Sequence, residues 1–474
     1  MRYLNKIFRL SFCFIVSIGY VFSQEITVRD SKTSVSLSNV YIYNEAKTKS
    51  IITDSEGRAL LSNFSTNEKV YFQLLGYKLL EFELSEFLND SFEIYLDLES
   101  QNLEEVILSV ARSESNADEI AEKVSVIKAE DLYLTAPASS AEVLELSPGV
   151  RIQKSQGGGG SPVIRGFEAN RVLIVVDGVR MNNAIYRSGH LQNSITIDPN
   201  NIDRVEIIYG SSSVGYGSDA LGGVVHYYTK TPSLKDSIKI KNSFSSNFNT
   251  VNSSLSNSFS TNYSKENWGF FSTISISKFG NIEMGKRRKH GYENWGLNNY
   301  YSKNSRYTFQ ENVSVNQNPS VQQNTGYSQV DFFQKFLFKL PYQSLLNLNI
   351  QYSESSDIDR YDKLSEEKSG ELKFSEWYYG PQKRLLISPS LKFFSQKPLL
   401  KRGRITLAYQ MAEESRINRK FNSIDRSSQF EKVNILSLNG DFDTSFDKGH
   451  ALSYGIEGTL NNVRSNAYNQ NIII

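Results

Sequence analysis

Several residue types that would place a protein quickly are scarce in this sequence. It holds 1 cysteine and 4 histidines among 474 residues. Cys13 lies within an N-terminal apolar run, so the remainder of the chain can form no disulfide and carries no thiol nucleophile. There is no His-Glu-x-x-His pair to hold zinc and no Gly-x-Ser-x-Gly elbow to present a serine. The carboxylates show no pairing that suggests acid–base work, so the chain is not expected to be an enzyme. Charge of either sign is also missing in excess. Lys plus Arg is 52 against Asp plus Glu 51, a net of +1, which leaves no global field for a nucleic-acid backbone. Beyond residue 22 no stretch approaches the roughly 18 consecutive apolar residues of a membrane helix.

What the sequence has is aromatic rings, 27 Tyr and 28 Phe. Rings suit the pleated surface of a sheet, and a mainly β protein is expected. The N-terminus sets the compartment. Arg2, Lys6 and Arg9 precede an apolar run from Leu10 to Phe22, and Val21 and Ser23 are small enough for the −3 and −1 sites of a signal peptidase, so residues 1–23 read as a secretory signal peptide. The run is shorter than the roughly 20 residues of a spanning anchor. An exported chain without disulfides must rely on a large core or on a membrane. With no later apolar helix, only a β-barrel could place it in a bilayer.

Past the signal, three parts follow. From 24 to 98 short alternating runs such as Val40-Tyr41-Ile42-Tyr43 and Val70-Tyr71-Phe72-Gln73-Leu74 are separated by turns at Asp54-Ser55-Glu56-Gly57 and Gly76-Tyr77, the pattern of a small β-sandwich. A linker, 99–122, carries the isolated segment Glu104-Glu105-Val106-Ile107-Leu108-Ser109-Val110, able to add as a strand to another protein's sheet edge. From 123 to 232 the pattern is α/β: Pro137 to Leu146 has helical spacing, Val172 to Val176 is a continuous apolar strand, and glycines crowd the stretch from Gly210 to Gly223. The Gly157–Gly160 run lacks the Gly-Lys-Ser/Thr of a phosphate loop and reads as a flexible loop. From 233 to 474 Leu346 to Tyr352, Ile405 to Met411, Leu436 to Phe442 and Leu452 to Leu460 alternate apolar with polar. Their lengths lie near the roughly 9–11 residues of a tilted transmembrane strand. Polar insertions at Asn281 to Asn299 and Ser353 to Phe374 look like external loops.

Two resemblances sharpen this outline. The first part resembles the carboxypeptidase-regulatory-like domain, on Val40-Tyr41-Ile42, Thr53 to Gly57 and Leu75-Gly76-Tyr77. It carries no catalytic residues here, and a docking role stands beside that of a generic sandwich. The α/β part resembles the plug of TonB-dependent outer-membrane receptors, on Arg165-Gly166-Phe167, Val176-Asp177-Gly178-Val179, Ile202 to Ile207 and Gly210-Ser211 through Tyr216 and Gly222-Gly223 to Val225, all in the family's order. The implied fold is a sandwich, an α/β plug and the first part of a transmembrane antiparallel barrel, with Arg165, Gly166, Asp177, Gly178, Arg204, Glu206, Gly222 and Gly223 as structural residues of the plug. Arg165, Arg204 and Glu206 are expected to pair with the barrel wall. The resemblance further implies that the segment 104–110 is a TonB box, that the TonB energy-transducing complex is a partner, and that the chain lies among outer-membrane lipids with plug and sandwich facing the periplasm.

Among the histidines, His190 stands out. The stretch Arg187 to Asn193 resembles the Gly-His-Leu step of haem and haemoglobin receptors, where the plug histidine is an axial ligand of the haem iron, with Tyr186 beside it as a stacking or alternative ligand. A reading in which His190 only hydrogen-bonds within the plug stands alongside. The family's Arg-Ala-Pro and Asn-Pro-Asn-Leu motifs are absent. The resemblance implies import of an iron complex, haem or siderophore, taken as a small molecule or from a haem-carrying protein. A non-iron nutrient such as an oligosaccharide or cobalamin, or a surface barrel that transports nothing, is the alternative. No intrinsic cofactor is expected. The stretch after the plug provides roughly 12 strands at about 20 residues each, against about 22 in plugged transporters, and the sequence reads as C-terminally incomplete.

Overall fold

A computed structural model describes residues 25–472, apart from 66, 75–76, 84–92, 98–105, 108–114, 117–121, 155–156, 186–193, 212, 303–308, 310–312, 369–370, 398 and 447–449. The chain forms two compact units, one up to residue 105 and the other from 106 onward.

In the first unit β1 (Glu25–Asp30), β2 (Tyr41–Asn44), β3 (Ser50–Ile52), β4 (Arg58–Leu60), β5 (Lys69–Gln73), β6 (Leu80–Glu83) and β7 (Glu93–Leu96) form two sheets, ordered β4-β1-β7 and β3-β2-β5-β6. Alternation turns Ile26 and Val28 of one sheet and Ile42, Val70 and Phe72 of the other into a shared core, because strand side chains face opposite sides in turn. Asp30 closes β1. Its Oδ1 accepts from the Thr33 amide at 2.6 Å and the Lys32 amide at 2.9 Å, and its Oδ2 accepts from the Tyr77 hydroxyl at 3.0 Å.

The second unit opens with β8 (Val106–Ile107) paired to β9 (Ser115–Asn116). Next come β10 (Lys123–Lys128), a helix Ala129–Thr135, a helical turn Ser140–Val143 that tightens into a 3-10 turn Leu144–Leu146, β11 (Val150–Gln153), β12 (Ser161–Ile164), β13 (Val172–Val176), β14 (Val179–Arg180), β15 (Ile202–Tyr209) and β16 (Gly223–Thr229). The helix expected from Pro137 starts later, because Ser139 caps it, accepting from the Glu142 amide. A five-stranded sheet, β10-β15-β16-β13-β14, centres on β16, which like its neighbour β13 is buried along its whole length. Gly223, at φ +155°, begins β16, and a Cβ there would lie 2.5 Å from the Ile208 carbonyl oxygen.

The rest is one antiparallel sheet. Its long strands are β17 (Lys239–Asn249), β18 (Ser254–Ser264), β19 (Trp268–Phe279), β24 (Tyr327–Lys339), β25 (Leu345–Ser355), β30 (Lys383–Lys397), β31 (Leu400–Lys420), β32 (Asp425–Ser445) and β33 (Ala451–Asn471), each paired to the next. Between β19 and β24 lie the small pairs β20 (Ile282–Glu283) with β23 (Val321–Gln322) and β21 (Tyr300–Ser302) with β22 (Val313–Val315). Between β25 and β30 lie β26 (Ile358–Asp359), β27 (Glu367–Lys368), β28 (Glu371–Leu372) and β29 (Phe374–Tyr379), the last paired to the far end of β31. Both long insertions leave the same rim, while the connections at the other rim are short turns. The sheet holds 11 strands, close to the expected dozen, but its longest run 21 residues, roughly twice what crossing a bilayer requires. The surplus length carries those strands past any membrane band.

The sheet is polar on its covered face and apolar on its open one. In β24 Gln329, Asp331 and Lys335 are buried while Val330 and Phe332 are exposed; in β19 Ser275 and Ser277 are buried while Ile274 and Ile276 are exposed. Water on the open face would reverse that order, whereas lipid demands it.

Hydrogen bonds to the ionised carboxylate hold Asp30 down at about 2, the Thr33 amide foremost. A carboxylate near 4 in the unfolded chain and about 2 in the folded one adds stability that is complete above pH 4 and lost as pH falls through 2. Asp30→Asn in the full chain is therefore expected to lower the melting temperature of the N-terminal unit at neutral pH, with the difference from wild type disappearing in acid. A difference that persists unchanged below pH 2, followed by circular dichroism, would contradict this.

Candidate functional site: the plug and its seat on the wall

The plug is fastened through a few polar nodes, and the hairpin between β13 and β14 forms the principal one. Asp177 and Gly178 turn the chain with φ of +47° and +84°, as a two-residue hairpin turn requires. The turn projects the Asp177 carboxylate to the seam between plug and wall. Its Oδ1 accepts from the Thr229 amide at 2.9 Å. Oδ2 accepts from the Thr229 hydroxyl at 2.5 Å, from Asn349 Nδ2 at 2.7 Å and from Lys335 Nζ at 3.1 Å. Thr229 belongs to the plug, Lys335 and Asn349 to β24 and β25. Lys335, only 1% exposed, also donates to the Thr229 carbonyl at 3.1 Å. Gly178 presents its carbonyl to Asn439 of β32 at 2.9 Å, and its amide donates to His226 Nε2 at 2.9 Å. That bond makes Nε2 the acceptor, so the neutral ring carries its proton on Nδ1, facing the Tyr228 hydroxyl at 3.1 Å. His226 is buried and engaged within the plug.

A second node is Arg180. Its Nε meets Glu457 of β33 at 2.9 Å and its Nη1 meets Asp219 at 3.2 Å; Tyr216 and Ser218 offer it carbonyls. Its own carbonyl accepts from Gln410 of β31 at 3.0 Å. Arg180, Tyr216, Ser218, Asp219 and Glu457 border a cavity of about 750 Å³ between the plug and strands β32 and β33. A third node is Asp198, which accepts from the Asn200 amide at 2.9 Å and from Ser275 of β19 at 2.6 Å. Burial pushes its carboxyl up from the ordinary range. Nearby, Gln329 of β24 donates to the Ile195 carbonyl at 2.9 Å, and Ile195 packs with Phe279, Tyr327 and Ile358 at the rim of the long insertions.

The sequence-derived residues fall into three groups. Asp177 and Gly178 join plug to wall. Arg165, Arg204 and Glu206, expected to face the wall, make their clearest contacts inside the plug: Arg204 Nε pairs with Glu206 at 2.8 Å and its guanidinium covers the Tyr228 ring at 4.8 Å, while Arg165 covers Tyr209 at 5.5 Å. Gly166 completes the Ile164–Phe167 turn, and a Cβ on Gly222 would strike Phe167 at 2.3 Å. His190, Tyr186, Glu104, Glu105, Leu108, Ser109 and Val110 lie outside the described residues. Of the expected TonB box, Val106 and Ile107 are described at backbone level, as β8.

The Gly157–Gly160 run, expected to be a flexible loop, packs closely. Gly157 and Gly158 sit against the wall, where a Cβ would fall 2.2 Å from the Thr325 carbonyl oxygen and 2.2 Å from the Tyr327 ring. Their glycines serve close approach. Lys335, Asn349, Gln410 and Asn439 escaped the sequence reading altogether; each sits as a polar residue on the inward phase of an alternating strand, a signal that marks the face without naming a partner.

Residues 116–224 match the family described as the TonB-dependent receptor plug domain. That span of the chain is a TonB-dependent receptor plug domain. A stretch of 133 residues is 37% identical to the vitamin B12 transporter BtuB of Vibrio vulnificus, covering 28% of this chain and 21% of that one. Another of 125 residues is 34% identical to a hemin receptor of Yersinia enterocolitica, covering 26% and 18%. Among solved structures, the Serratia marcescens hemophore receptor HasR, in complex with its hemophore HasA and heme, superposes with a TM-score of 0.55 at 16% identity, over 74% of this chain and 46% of HasR. That likeness is one of fold, plug and barrel strands together. The chain thus spans about half or less of the length of the proteins it matches.

Removing one partner of a buried ion pair costs about 3–5 kcal/mol, whereas removing both costs much less. Lys335→Met should therefore loosen the plug, seen as faster tryptic cleavage within residues 123–232 of the chain in detergent. Adding Asp177→Asn should restore part of the protection. Simple additivity of the two changes would show that the pair does not hold the plug.

Proposed function

We propose that this receptor imports a scarce nutrient across the outer membrane, driven by the TonB complex of the inner membrane. The supporting observation is an α/β plug pinned by polar nodes to the polar face of a sheet whose other face is apolar. Polar nodes can be hydrated and broken, and the apolar plug–wall contact is confined to small clusters at Val179, Ile185 and Ile195, so the plug can shift when pulled and reseat afterwards. An apolar plug–wall core would resist both.

The short pairing of β8 with β9 suits a segment that leaves its hairpin to join another sheet edge, since two residue pairs hold it. In this reading residues 104–110 are the TonB box, the N-terminal sandwich and plug face the periplasm, and the rim bearing the long insertions faces outward, as in barrels with short periplasmic turns and longer external loops. Domain limits of 24–98 for the sandwich, 99–122 for the linker, 123–232 for the plug and 233–474 for the barrel strands fit that arrangement. The cargo is inferred to be an iron complex, haem or siderophore. The hemin receptor among the relatives favours haem, with His190 as an iron ligand through neutral imidazole and Tyr186 beside it. The B12 transporter, matched at higher identity, keeps cobalamin as the second reading.

Proline at Ile107 removes a ladder donor from the box. Ile107→Pro is expected to abolish energised uptake while surface binding persists; uptake at the wild-type rate would refute the assignment. For the cargo, His190→Ala should shift the haem absorption band of the complete receptor and slow growth on haem as sole iron source. An unshifted spectrum with normal growth would move the cargo to a siderophore or to cobalamin.

A further inference from the structure

In a chain of net charge +1, four cations stand in succession, Lys286, Arg287, Arg288 and Lys289, in the insertion between β19 and β24. Among the described residues none of the four is paired with an acid. The nearby acids are occupied. Glu293 accepts from the Gly291 amide at 3.0 Å and from His290 at 3.2 Å, and Glu283 accepts from Asn318 at 3.2 Å. Four adjacent like charges without counter-charge repel one another, and a merely solvated loop has no reason to hold them in one place.

This loop does hold them. Tyr292 donates its amide to the Lys289 carbonyl at 2.9 Å and Trp295 donates to the Tyr292 carbonyl at 3.0 Å, two successive turns that fold the chain back on itself. Arg288 Nε then donates to the Trp295 carbonyl at 3.0 Å, while Gln322 bonds the Gly296 carbonyl at 2.8 Å and the Met284 amide is held by the Ser320 carbonyl at 2.8 Å. Arg288 keeps a second guanidinium nitrogen, Nη2, shielded from water and without a hydrogen-bond partner. A buried donor left unmade is costly. Beside the cations two rings are uncommitted. Trp295 is 67% exposed and Tyr292 60%, whereas Trp268 packs on Tyr263 and Trp377 on Tyr379.

Cations next to open aromatic faces suit a ligand with anionic oxygens at the edge of a flat ring system. We propose that residues 286–295 form the receptor's capture surface for such a ring-bearing polyanion: Lys286 to Lys289 hold its oxygens and Trp295 with Tyr292 carries its ring. The loop leaves the rim at which Ile195 of the plug packs, so a captured ligand starts at the mouth of the plug. The inference rests on the import reading and gives its cargo a chemistry. A dicarboxylate porphyrin and a ferric tris-catecholate share that chemistry.

The test measures equilibrium binding to the purified full-length receptor, by tryptophan quenching and by filtration, of three probes: iron protoporphyrin, its uncharged dimethyl ester, and a ferric tris-catecholate. Wild type is expected to bind at least one of the two anions, iron protoporphyrin more tightly than its ester if it is the one bound, with affinity falling as salt is raised. Replacing Lys286, Arg287 and Lys289 by Gln spares Arg288 and the loop's hydrogen bonds. It should weaken the bound anion about tenfold or more, since each charged hydrogen bond contributes about 1.5 kcal/mol or above, and leave the ester unchanged. Trp295→Ala should weaken porphyrin and ester alike. Whichever anion responds identifies the source. Anion binding unchanged in the triple variant, or no binding of either anion by wild type, overturns the capture surface. Failure of the import reading is distinct: it would show as uptake indifferent to Ile107→Pro, which does not touch this loop.

Discussion

The structure depends on where the polar groups of its large sheet can find partners. An alternating strand whose apolar residues face outward must turn its polar residues inward, and each of those buried groups costs about 1–3 kcal/mol if left unbonded. Gln329, Lys335, Asn349, Gln410 and Asn439 are such groups, and the plug answers each with a carbonyl or a carboxylate. The plug's main apolar core lies around β13, β15 and β16, and only small apolar clusters at Val179, Ile185 and Ile195 reach the wall. Two cores, one inside the plug and one made by the outward face with whatever covers it, are separated by a seam of polar nodes with three small apolar clusters among them. That separation lets the parts be individually stable yet separable.

Within the seam the principal node is placed by a local turn. Asp177 is placed by a two-residue turn directly after a fully buried strand of the plug, so its carboxylate inherits the rigidity of β13. It meets Thr229, at the end of β16, and through it the last plug strand is tied to the same point from which the wall is gripped. One carboxylate therefore couples the hairpin, the strand leading out of the plug and two wall strands. Arg180, two residues beyond Gly178, repeats the scheme with opposite charge toward Asp219 and Glu457.

What the sequence revealed follows the same division between local and distant. The mainly β class, the buried run Val172 to Val176, the Asp177-Gly178 turn and the alternation of strands such as Leu346 to Tyr352 were legible because each is a pattern of period one or two within a few residues. Strand length was not, because alternation can continue above a membrane as well as within it, and β31 to β33 do so. Nor could Lys335 be matched to Asp177, or Asn439 to Gly178, over separations that no local pattern encodes. Arg204 and Glu206, two residues apart on one strand, share a face, and Arg204 meets Glu206 there.

The Gly157–Gly160 run shows how one composition admits opposite physics. Four glycines in a row suggest freedom, since each can adopt backbone angles that other residues avoid. Placed beside a wall, the same lack of side chains permits contact at distances no Cβ would tolerate, and the Thr325 carbonyl and Tyr327 ring occupy that space. Tyr327 also packs against Phe279 and Ile195, so the glycines and the rim of the wall belong to one contact. A segment that moves freely could not define such a surface; one that is small and pressed can, and it closes the gap between plug and wall on the side where the long insertions arise.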